Sequence, residues 1–220
     1  MDLPPDFVRN IKVAFGAEGE KWLLRLPSLL DDAVRRWDLD NVQQVGNLSY
    51  NYVAFARRDQ EDVVLKIGVP NREFISEMTT LRIFDGDGAV RLFESDENKY
   101  MFLLERLRPG TMLADLIEDD EKCTHIACDV MTHLWRHKPQ GPLIQLSEWF
   151  GELKGLRARY KGGTGPFPEK LVERAESLIP ELFANSSPPV LLHGDFHHFN
   201  ILSSERGWLV IDPKGVVGPP

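Results

Sequence analysis

The chain has 220 residues, a formal net charge of −8 and 42% hydrophobic residues, which suits one globular domain or two lobes that share a cleft. The acidic balance argues against nucleic-acid binding and suits a cationic small molecule, although a solubilising acidic surface explains it equally well. We expect no membrane span and no signal peptide, because no apolar run is long enough and the N-terminus lacks a basic start. The two cysteines, Cys123 and Cys128, are not expected to pair, which is typical of the cytoplasm.

The first hundred residues divide into a helical segment and a β-rich segment. Residues 4–38 are predicted to be helical, because apolar side chains recur at three- and four-residue steps. Pro27 is expected to begin a new helical turn, and these helices are expected to pack on the outside of the first lobe. The following pattern predicts strands at 42–46, 50–57 and 62–67, a helix at 70–84, and strands at 90–93 and 100–104.

The second half of the chain is predicted to be mostly helical. Residues 105–110 are charged and turn-forming, and we interpret them as a hinge between two lobes. Breaks are expected at the glycine-rich residues 162–166 and at residues 186–189. The predicted helices cover 112–118, 121–137, 146–160 and 168–183.

The strongest chemical signal is the run His193–Asn200, HGDFHHFN, which precedes Ile211–Gly215, IDPKG. The apolar residues ahead of it predict a buried strand. Gly194 permits a turn from which Asp195 can project. Residues 201–211 are predicted to form a short hairpin, which returns the second acidic residue of the motif to the first.

This order of side chains matches what phosphoryl transfer from ATP requires. Asp195 would accept or orient the proton of an acceptor hydroxyl. Asn200 and Asp212 would supply the oxygen ligands that magnesium prefers. The competing interpretation is an ordinary loop and hairpin whose polar residues cap turns.

The HGDxHxxN pattern resembles the catalytic loop of the aminoglycoside phosphotransferase superfamily, and the DPKG ending resembles its streptomycin 6-kinase and hydroxyurea-resistance kinase branch. The resemblance extends from about Asn41 to the end of the chain. It implies an α+β, two-lobed, protein-kinase-like fold with an antiparallel small lobe and a mostly helical large lobe. We expect the small lobe at 1–105 and the large lobe at 106–220.

The resemblance also implies a nucleotide-binding lysine. Lys66 ends an apolar strand, and in kinase-like proteins such a lysine contacts the α- and β-phosphates and pairs with a helix carboxylate. Glu77 is the preferred partner because it lies deeper in the next helix, and Glu73 is the alternative one turn earlier. Without the resemblance, Lys66 would be interpreted as a lysine that protects an edge strand from aggregation.

The remaining nucleotide contacts are assigned by position in the resemblance. Ser49, in the turn between the first two strands, could donate to phosphate oxygens. Leu103 and Glu105 belong to the segment where backbone groups bind the adenine edge and apolar side chains flank the ring. His197 takes the position where protein kinases carry a lysine, and it either donates to the γ-phosphate or braces the loop. The role of Lys214 stays open between phosphate, substrate and Asp212.

The chain departs from the superfamily pattern at its end, because residues 218–220 follow DPKG almost at once. We expect the large lobe to lack helices that supply much of the acceptor pocket. The expected activity is ATP- and magnesium-dependent phosphorylation of a hydroxyl on a cationic aminoglycoside such as streptomycin. The alternatives are a kinase for hydroxyurea or another metabolite, and a non-catalytic nucleotide-binding remnant.

Overall fold

The computed structural model describes residues 1–116, 118–137, 139–184 and 186–220. Its first part is an antiparallel sheet with a helix on each face. The five strands follow the order β1-β2-β3-β5-β4. The elements of this part are α1 (Pro5–Arg36), β1 (Leu39–Gln44), β2 (Asn51–Arg58), β3 (Glu61–Gly68), α2 (Arg72–Phe84), β4 (Leu92–Asp96) and β5 (Met101–Glu105).

The long helix α1 covers one face of this sheet. Its buried Trp22 and Leu26 belong to the same apolar core as Leu65 and Leu103. The helix is interrupted at Gly16, which has φ 54° and ψ −133°. The expectation that Pro27 begins a new turn is wrong, because Pro27 lies inside the second helical segment. Glycine adopts a positive φ at little steric cost, so the chain bends there instead.

The opposite face of the sheet carries α2. Paired residues of antiparallel strands share a face, and Lys66 pairs with Phe102 while Val64 pairs with Leu104. Phe102 and Leu104 share an apolar core with Phe74 of α2. The sheet therefore buries alternate residues against α1 and presents the intervening ones, including Lys66, to α2 and the second part of the chain.

The second part combines helices with short strands. It contains β6 (Pro109–Met112), a 3-10 turn (Leu113–Leu116), α3 (Asp120–Leu134), β7 (Arg136–His137), β8 (Ile144–Gln145), α4 (Leu146–Phe150), α5 (Glu152–Arg159), α6 (Glu169–Ala184), β9 (Val190–Leu192), a second 3-10 turn (His198–Asn200), β10 (Ile201–Ser204), β11 (Gly207–Val210) and β12 (Val216–Gly218). Residues 146–160, expected as one helix, form α4 and α5. Residues 109 and 110, expected within the hinge, and Met112, expected to begin a helix, belong to β6, and only Leu113–Leu116 of the helix expected at 112–118 form a 3-10 turn.

Two small sheets hold the segment from β9 to β12. The expected hairpin forms between β10 and β11, and β6 extends it into three strands. The other sheet has the order β7-β9-β12-β8. Main-chain bonds also join the hairpin to the loop after α2, since Val90 N–H donates to the Val210 carbonyl over 2.9 Å and Val210 N–H donates to Gly88 over 3.1 Å. The two parts of the chain are thus connected next to the HGDFHHFN loop.

Gly215 is where α2 comes closest to this segment. Its φ is +68°, and an added Cβ would lie 2.0 Å from Thr80 Oγ1. The Gly215 carbonyl accepts from Ser76 Oγ over 2.8 Å. Only a residue without a side chain permits this contact between α2 and the end of the motif.

The predicted boundary between lobes after Glu105 stays a prediction, and β5 ends at that residue. Across the described residues, no helix combines the length and the apolar character that a membrane crossing requires.

Candidate active site

A buried ion pair connects the sheet to α2. Lys66 Nζ lies 2.6 Å from Glu77 Oε1 and 3.1 Å from Asp212 Oδ1. Lys66 and Glu77 are almost fully buried, whereas the Asp212 side chain is half exposed. A buried ammonium is costly unless it is paired, and here two carboxylates offset that cost. Of the two candidate partners on α2, Glu77 is the one that contacts Lys66.

Burial and neighbouring charges determine the ionisation of Lys66, Glu77 and Asp212. Burial opposes the charge of Lys66, but Asp212 and Glu77 outweigh burial and raise the pKa of Lys66. Burial raises the pKa of Glu77 to about 7 despite the neighbouring Lys66. Burial also works to raise the pKa of Asp212, but the Lys66 charge exceeds this effect and the pKa is lowered. At neutral pH the site therefore presents an ammonium beside an ionised Asp212 carboxylate.

His193 holds the loop that follows β9. Its Nδ1 accepts from the Asp195 N–H over 3.2 Å, so the ring proton is on Nε2, which donates to the Ile211 carbonyl over 2.8 Å. Burial lowers the pKa of His193 to about 4. The neutral imidazole thus joins the start of the loop to Ile211, the residue that follows β11. The His193 carbonyl accepts from Lys214 N–H over 2.7 Å, which adds a second link.

The hairpin brings Asn200 and Asp212 together as the sequence predicts. The Ile211 N–H donates to the Asn200 carbonyl over 3.0 Å, so the residue before Asp212 is fixed to Asn200. The amide nitrogen of Asn200 donates to the Asp195 carbonyl over 3.0 Å. This orientation leaves the side-chain oxygen of Asn200 as its acceptor group. Asp212 itself has φ 55°, a left-handed conformation that is uncommon outside glycine.

His197 lies beside the aspartate at the tip of the loop. Its Nε2 is 3.3 Å from Asn200 Nδ2 and 3.7 Å from Asp195 Oδ1. Because an amide nitrogen can only donate, Nε2 of His197 accepts in this arrangement. His197 therefore braces Asn200, which is one of its two predicted roles. Asp195 and His197 are both about half exposed, so a ligand in solution can reach them.

The predicted adenine-binding segment is built differently on its two sides. The Leu103 side chain is buried on the α1 face of the sheet, opposite Lys66, whereas the adjacent Leu104 is on the Lys66 face. The backbone of Leu103 pairs with Leu65 of β3 on one side and with Glu94 of β4 on the other. The Glu105 carboxylate accepts from the Arg91 N–H over 3.1 Å and pairs with Arg206 from the turn between β10 and β11.

Ser49 is exposed in the turn between β1 and β2, and its side chain is not brought into contact with Lys66. A cavity of about 470 Å³ opens nearby, between this turn, α1 and the start of α2. Glu73 and Lys214 line it, with Nζ of Lys214 3.7 Å from Glu73 Oε2. The second carboxylate on α2 thus has a partner of its own.

Sequence reasoning did not identify two further contributors. Arg206 links the hairpin turn to Glu105 and donates to the Gly86 carbonyl, and a lone arginine in a turn gives no signal for such a contact. Arg72, at the start of α2, pairs with Glu148 of α4 and donates to the Leu143 carbonyl over 3.2 Å. It therefore connects the two halves of the chain at the edge of the cavity.

The fold and the site together define a class. An antiparallel sheet with a buried lysine–glutamate pair faces a loop and hairpin that carry Asp195, Asn200 and Asp212. This is the two-lobed arrangement of a protein-kinase-like phosphotransferase. A choline/ethanolamine kinase family protein from Mesorhizobium loti has a similar fold, with a TM-score of 0.63, 15% identity and coverage of 87% of this chain and 67% of that one.

The family follows from comparison with known sequences. Residues 36–219 match the model of the aminoglycoside/hydroxyurea antibiotic resistance kinase family, and the chain belongs to that family. It is 30% identical to the streptomycin 6-kinase of Streptomyces glaucescens, over all of this chain and 72% of that protein. It is also 30% identical to the hydroxyurea phosphotransferase of Kitasatospora aureofaciens, over all of this chain and 66% of that protein.

The expected branch of the superfamily and the expected fold class are confirmed. The chain is an enzyme, a phosphotransferase that uses an alcohol group as acceptor. A solved aminoglycoside phosphotransferase in ternary complex with AMP-PNP and hygromycin B has a TM-score of 0.57 and 10% identity to this chain, covering 86% of this chain and 72% of that one.

Proposed function

We propose that the chain transfers the γ-phosphate of ATP, with magnesium, to a hydroxyl of a cationic aminoglycoside such as streptomycin. One observation carries the proposal. Lys66, which is paired with Glu77, also contacts Asp212, and Asp212 lies at the end of the hairpin that begins at Asn200. An ammonium next to two oxygen donors suits a triphosphate and its cation. The complex of a related fold with AMP-PNP supports ATP as the donor.

The residues present fit magnesium. Asn200 and Asp212 supply a neutral and an ionised oxygen, and their chain segments are joined by the hydrogen bond from Ile211 N–H to the Asn200 carbonyl. Magnesium takes one or two protein oxygens and completes its octahedron with phosphates and water. Among the described residues no group of three or more histidine, cysteine, aspartate or glutamate side chains could hold a metal ion by itself.

The mechanism assigns one role to each side chain. Lys66 binds the α- and β-phosphates, and Glu77 holds the Lys66 ammonium in position. Asp195 orients the acceptor hydroxyl and takes its proton as the new phosphorus–oxygen bond forms. The bond from the γ-phosphorus to the bridging oxygen breaks, and ADP leaves with that electron pair. Magnesium supplies positive charge that stabilises the phosphate oxygens when it is bound.

We assign the adenine to the cleft edge next to β5. Backbone groups of residues 105–107, where β5 leaves the sheet, would bind its edge, with Leu104 on the face of the sheet that carries Lys66. The lobe boundary is proposed after Glu105, where β5 ends. Ser49 would donate to a phosphate oxygen once the turn between β1 and β2 closes over the nucleotide, as backbone and hydroxyl groups do in anion-binding turns.

A cationic acceptor is supported by the charge of the chain and of the cleft. The net charge is −8, and the half-exposed Asp195 and Glu73 face the cleft and the neighbouring cavity. An acidic cleft concentrates a cationic substrate. Streptomycin is the acceptor named for one relative that matches the whole of this chain, and hydroxyurea is named for another. We place streptomycin first because its cationic groups match this charge. The cytoplasm is the proposed location, since Cys123 and Cys128 are unpaired and ATP is available there.

The test is a product assay by mass spectrometry on the full chain with ATP and Mg²⁺, using streptomycin, other aminoglycosides and hydroxyurea as acceptors. We expect a product 80 Da heavier, roughly the mass of one phosphoryl group on one hydroxyl, and no product when EDTA removes the metal. Asp195→Asn should lower the rate by about 10²- to 10⁴-fold while ATP binding stays within about twofold. Asp2→Asn, an exposed change outside the site, is the control.

Two results would overturn the proposal. ATP-dependent thermal stabilisation without product from any acceptor would favour a non-catalytic nucleotide-binding protein. Full activity of Asp195→Asn would remove the assigned base.

A further inference from the structure

The main chain of Lys214 is fixed from two sides. Its N–H donates to the His193 carbonyl over 2.7 Å, which attaches it to the start of the catalytic loop. The next residue, Gly215, offers its carbonyl to Ser76 Oγ of α2 over 2.8 Å and to Ile144 N–H over 3.2 Å. Lys214 is thus held between α2 and the loop that carries Asp195, so the base of its side chain has a defined position.

The tip of the same side chain is much less constrained. Lys214 projects into the cavity of about 470 Å³ that it shares with Glu73 and Glu77. Its one ion pair within the described residues is with Glu73, at 3.7 Å, and both side chains are more than a third exposed. Ion pairs of this kind contribute little free energy. The ammonium can therefore leave Glu73 at small cost when a stronger anion arrives.

The position of the charge indicates which anion that is. Lys214 lines the same cavity as Glu77, and its charge acts on the carboxyls of Glu77 and Asp212, which are the two partners of Lys66. His197, the other candidate for a donor to the transferred group, uses Nε2 to accept from Asn200. Lys214 therefore adds a second ammonium, beside Lys66, to the nucleotide site proposed above, whereas Arg72 in the same cavity is paired with Glu148.

We propose that Lys214 is a catalytic residue that exchanges Glu73 for the γ-phosphate when ATP binds. This inference rests on the nucleotide-binding function proposed above. The ammonium donates to non-bridging oxygens of the γ-phosphate and stabilises their charge during transfer. The phosphorus bond to the acceptor oxygen forms, the bond to the bridging oxygen of ADP breaks, and the acceptor proton goes to Asp195. Glu73 holds the ammonium next to the site in the absence of nucleotide.

The deciding measurement compares ATP with ADP, because only ATP carries the γ-phosphate. By isothermal titration calorimetry of the full chain with Mg²⁺, Lys214→Met should weaken ATP binding about tenfold and change ADP binding by no more than about twofold. Lys214→Arg should restore most of the preference for ATP, since it keeps the charge. Lys170→Met, an exposed lysine on α6, is the matched control and should change neither affinity.

Glu73→Gln tests whether Glu73 only holds the Lys214 ammonium in the absence of nucleotide or whether the ion pair is needed for the structure of the site. Loss of the Glu73 charge frees Lys214, so ATP should bind equally well or up to about threefold more tightly. With an acceptor present, Lys214→Met should also lower kcat by about a hundredfold, the loss typical of one charge-stabilising donor. Melting temperatures of all variants show whether each one folds. If Lys214→Met does not fold, Lys214→Arg is the folded variant that is compared with the wild-type chain.

The outcomes are distinguishable from failure of the proposed function. If the wild-type chain binds neither nucleotide, the proposed function and this inference both fail. If it binds both nucleotides and Lys214→Met weakens them equally or not at all, the function stands and the role of Lys214 is refuted. Weakened ATP binding in Glu73→Gln, equal to that in Lys214→Met, would also refute it, because the ion pair would then be structural.

Discussion

The pH dependence of stability should reveal the buried His193, and His193→Gln is the perturbation that tests it. His193 is 4% exposed, its Nδ1 accepts one main-chain bond, and its Nε2–H donates another. Protonation would turn the accepting nitrogen into a donor that faces the Asp195 N–H. Burial lowers the pKa of His193 from 6.5 to about 4, so the folded state favours the neutral ring.

The sign and size follow from proton linkage. Between pH 6.5 and pH 4 the unfolded chain binds a proton at His193 that the folded chain does not, so stability is lost as the pH falls. Because one pKa unit corresponds to about 1.4 kcal/mol, the full shift is worth roughly 3 kcal/mol, of which about 2 kcal/mol is lost between pH 7 and pH 4.5. His193→Gln should lack this part of the pH dependence, whatever its stability at pH 7.

The assay is urea unfolding at pH 7, 5.5 and 4.5 on the wild-type chain and the variant. Carboxylates titrate in both proteins, so their contribution cancels in the difference between the two pH profiles. His125→Gln, an exposed histidine on α3, is the control and should follow the wild-type profile. Parallel profiles for wild type and His193→Gln would refute the argument, and so would an NMR spectrum with the proton on Nδ1.

Two further changes test how the site is supported. Gly215→Ala places a Cβ 2.0 Å from an α2 hydroxyl at φ +68° and should lower the free energy of unfolding by about 2–4 kcal/mol. The control is Gly207→Ala, at φ +100° with no atom within 4 Å of the added Cβ, and it should lower the free energy of unfolding by about 1 kcal/mol. Equal losses for the two variants in urea unfolding would contradict the crowding argument. Arg206→Met removes the partner of Glu105 and should cost about 1 kcal/mol, more than Arg82→Met at an exposed pair, when both are measured by thermal unfolding.

The central strands and the catalytic hairpin could be predicted because their patterns are local. β2 alternates partly buried and buried residues over its first seven positions, whereas β3 alternates only as far as Leu65 and ends in four buried residues. Both are long enough for their β-prone apolar residues to be recognised in the sequence. By contrast, β7 and β8 have two residues each and β12 has three. A period of two cannot be recognised in so few residues, because these strands exist only through their tertiary partners.

The partner of Lys66 shows the same limit within the site. Glu73 and Glu77 are one helical turn apart, and side chains at that spacing share a face of the helix. Sequence periodicity therefore leaves both as candidates, with only depth in the helix to separate them. The choice depends on where α2 sits along β3, and tertiary contacts determine that position. They include the packing of Phe74 on Phe102 and the close contact of α2 with Gly215, more than a hundred residues later in the chain.

The site combines a fixed main chain with side-chain tips that remain accessible. The His193 and Asn200 carbonyls each accept a main-chain N–H from the segment around Asp212, so the positions of the loop and the hairpin end are set before any ligand binds. Asp195, Asp212 and Lys214 are nevertheless more than a third exposed at their side chains. Phosphoryl transfer needs orientation and charge stabilisation more than covalent chemistry from the protein. A rigid frame supplies the first requirement. Accessible charged tips supply the second in the mechanism proposed here, in which the Lys214 ammonium exchanges Glu73 for phosphate oxygens and Asp212 helps to hold magnesium.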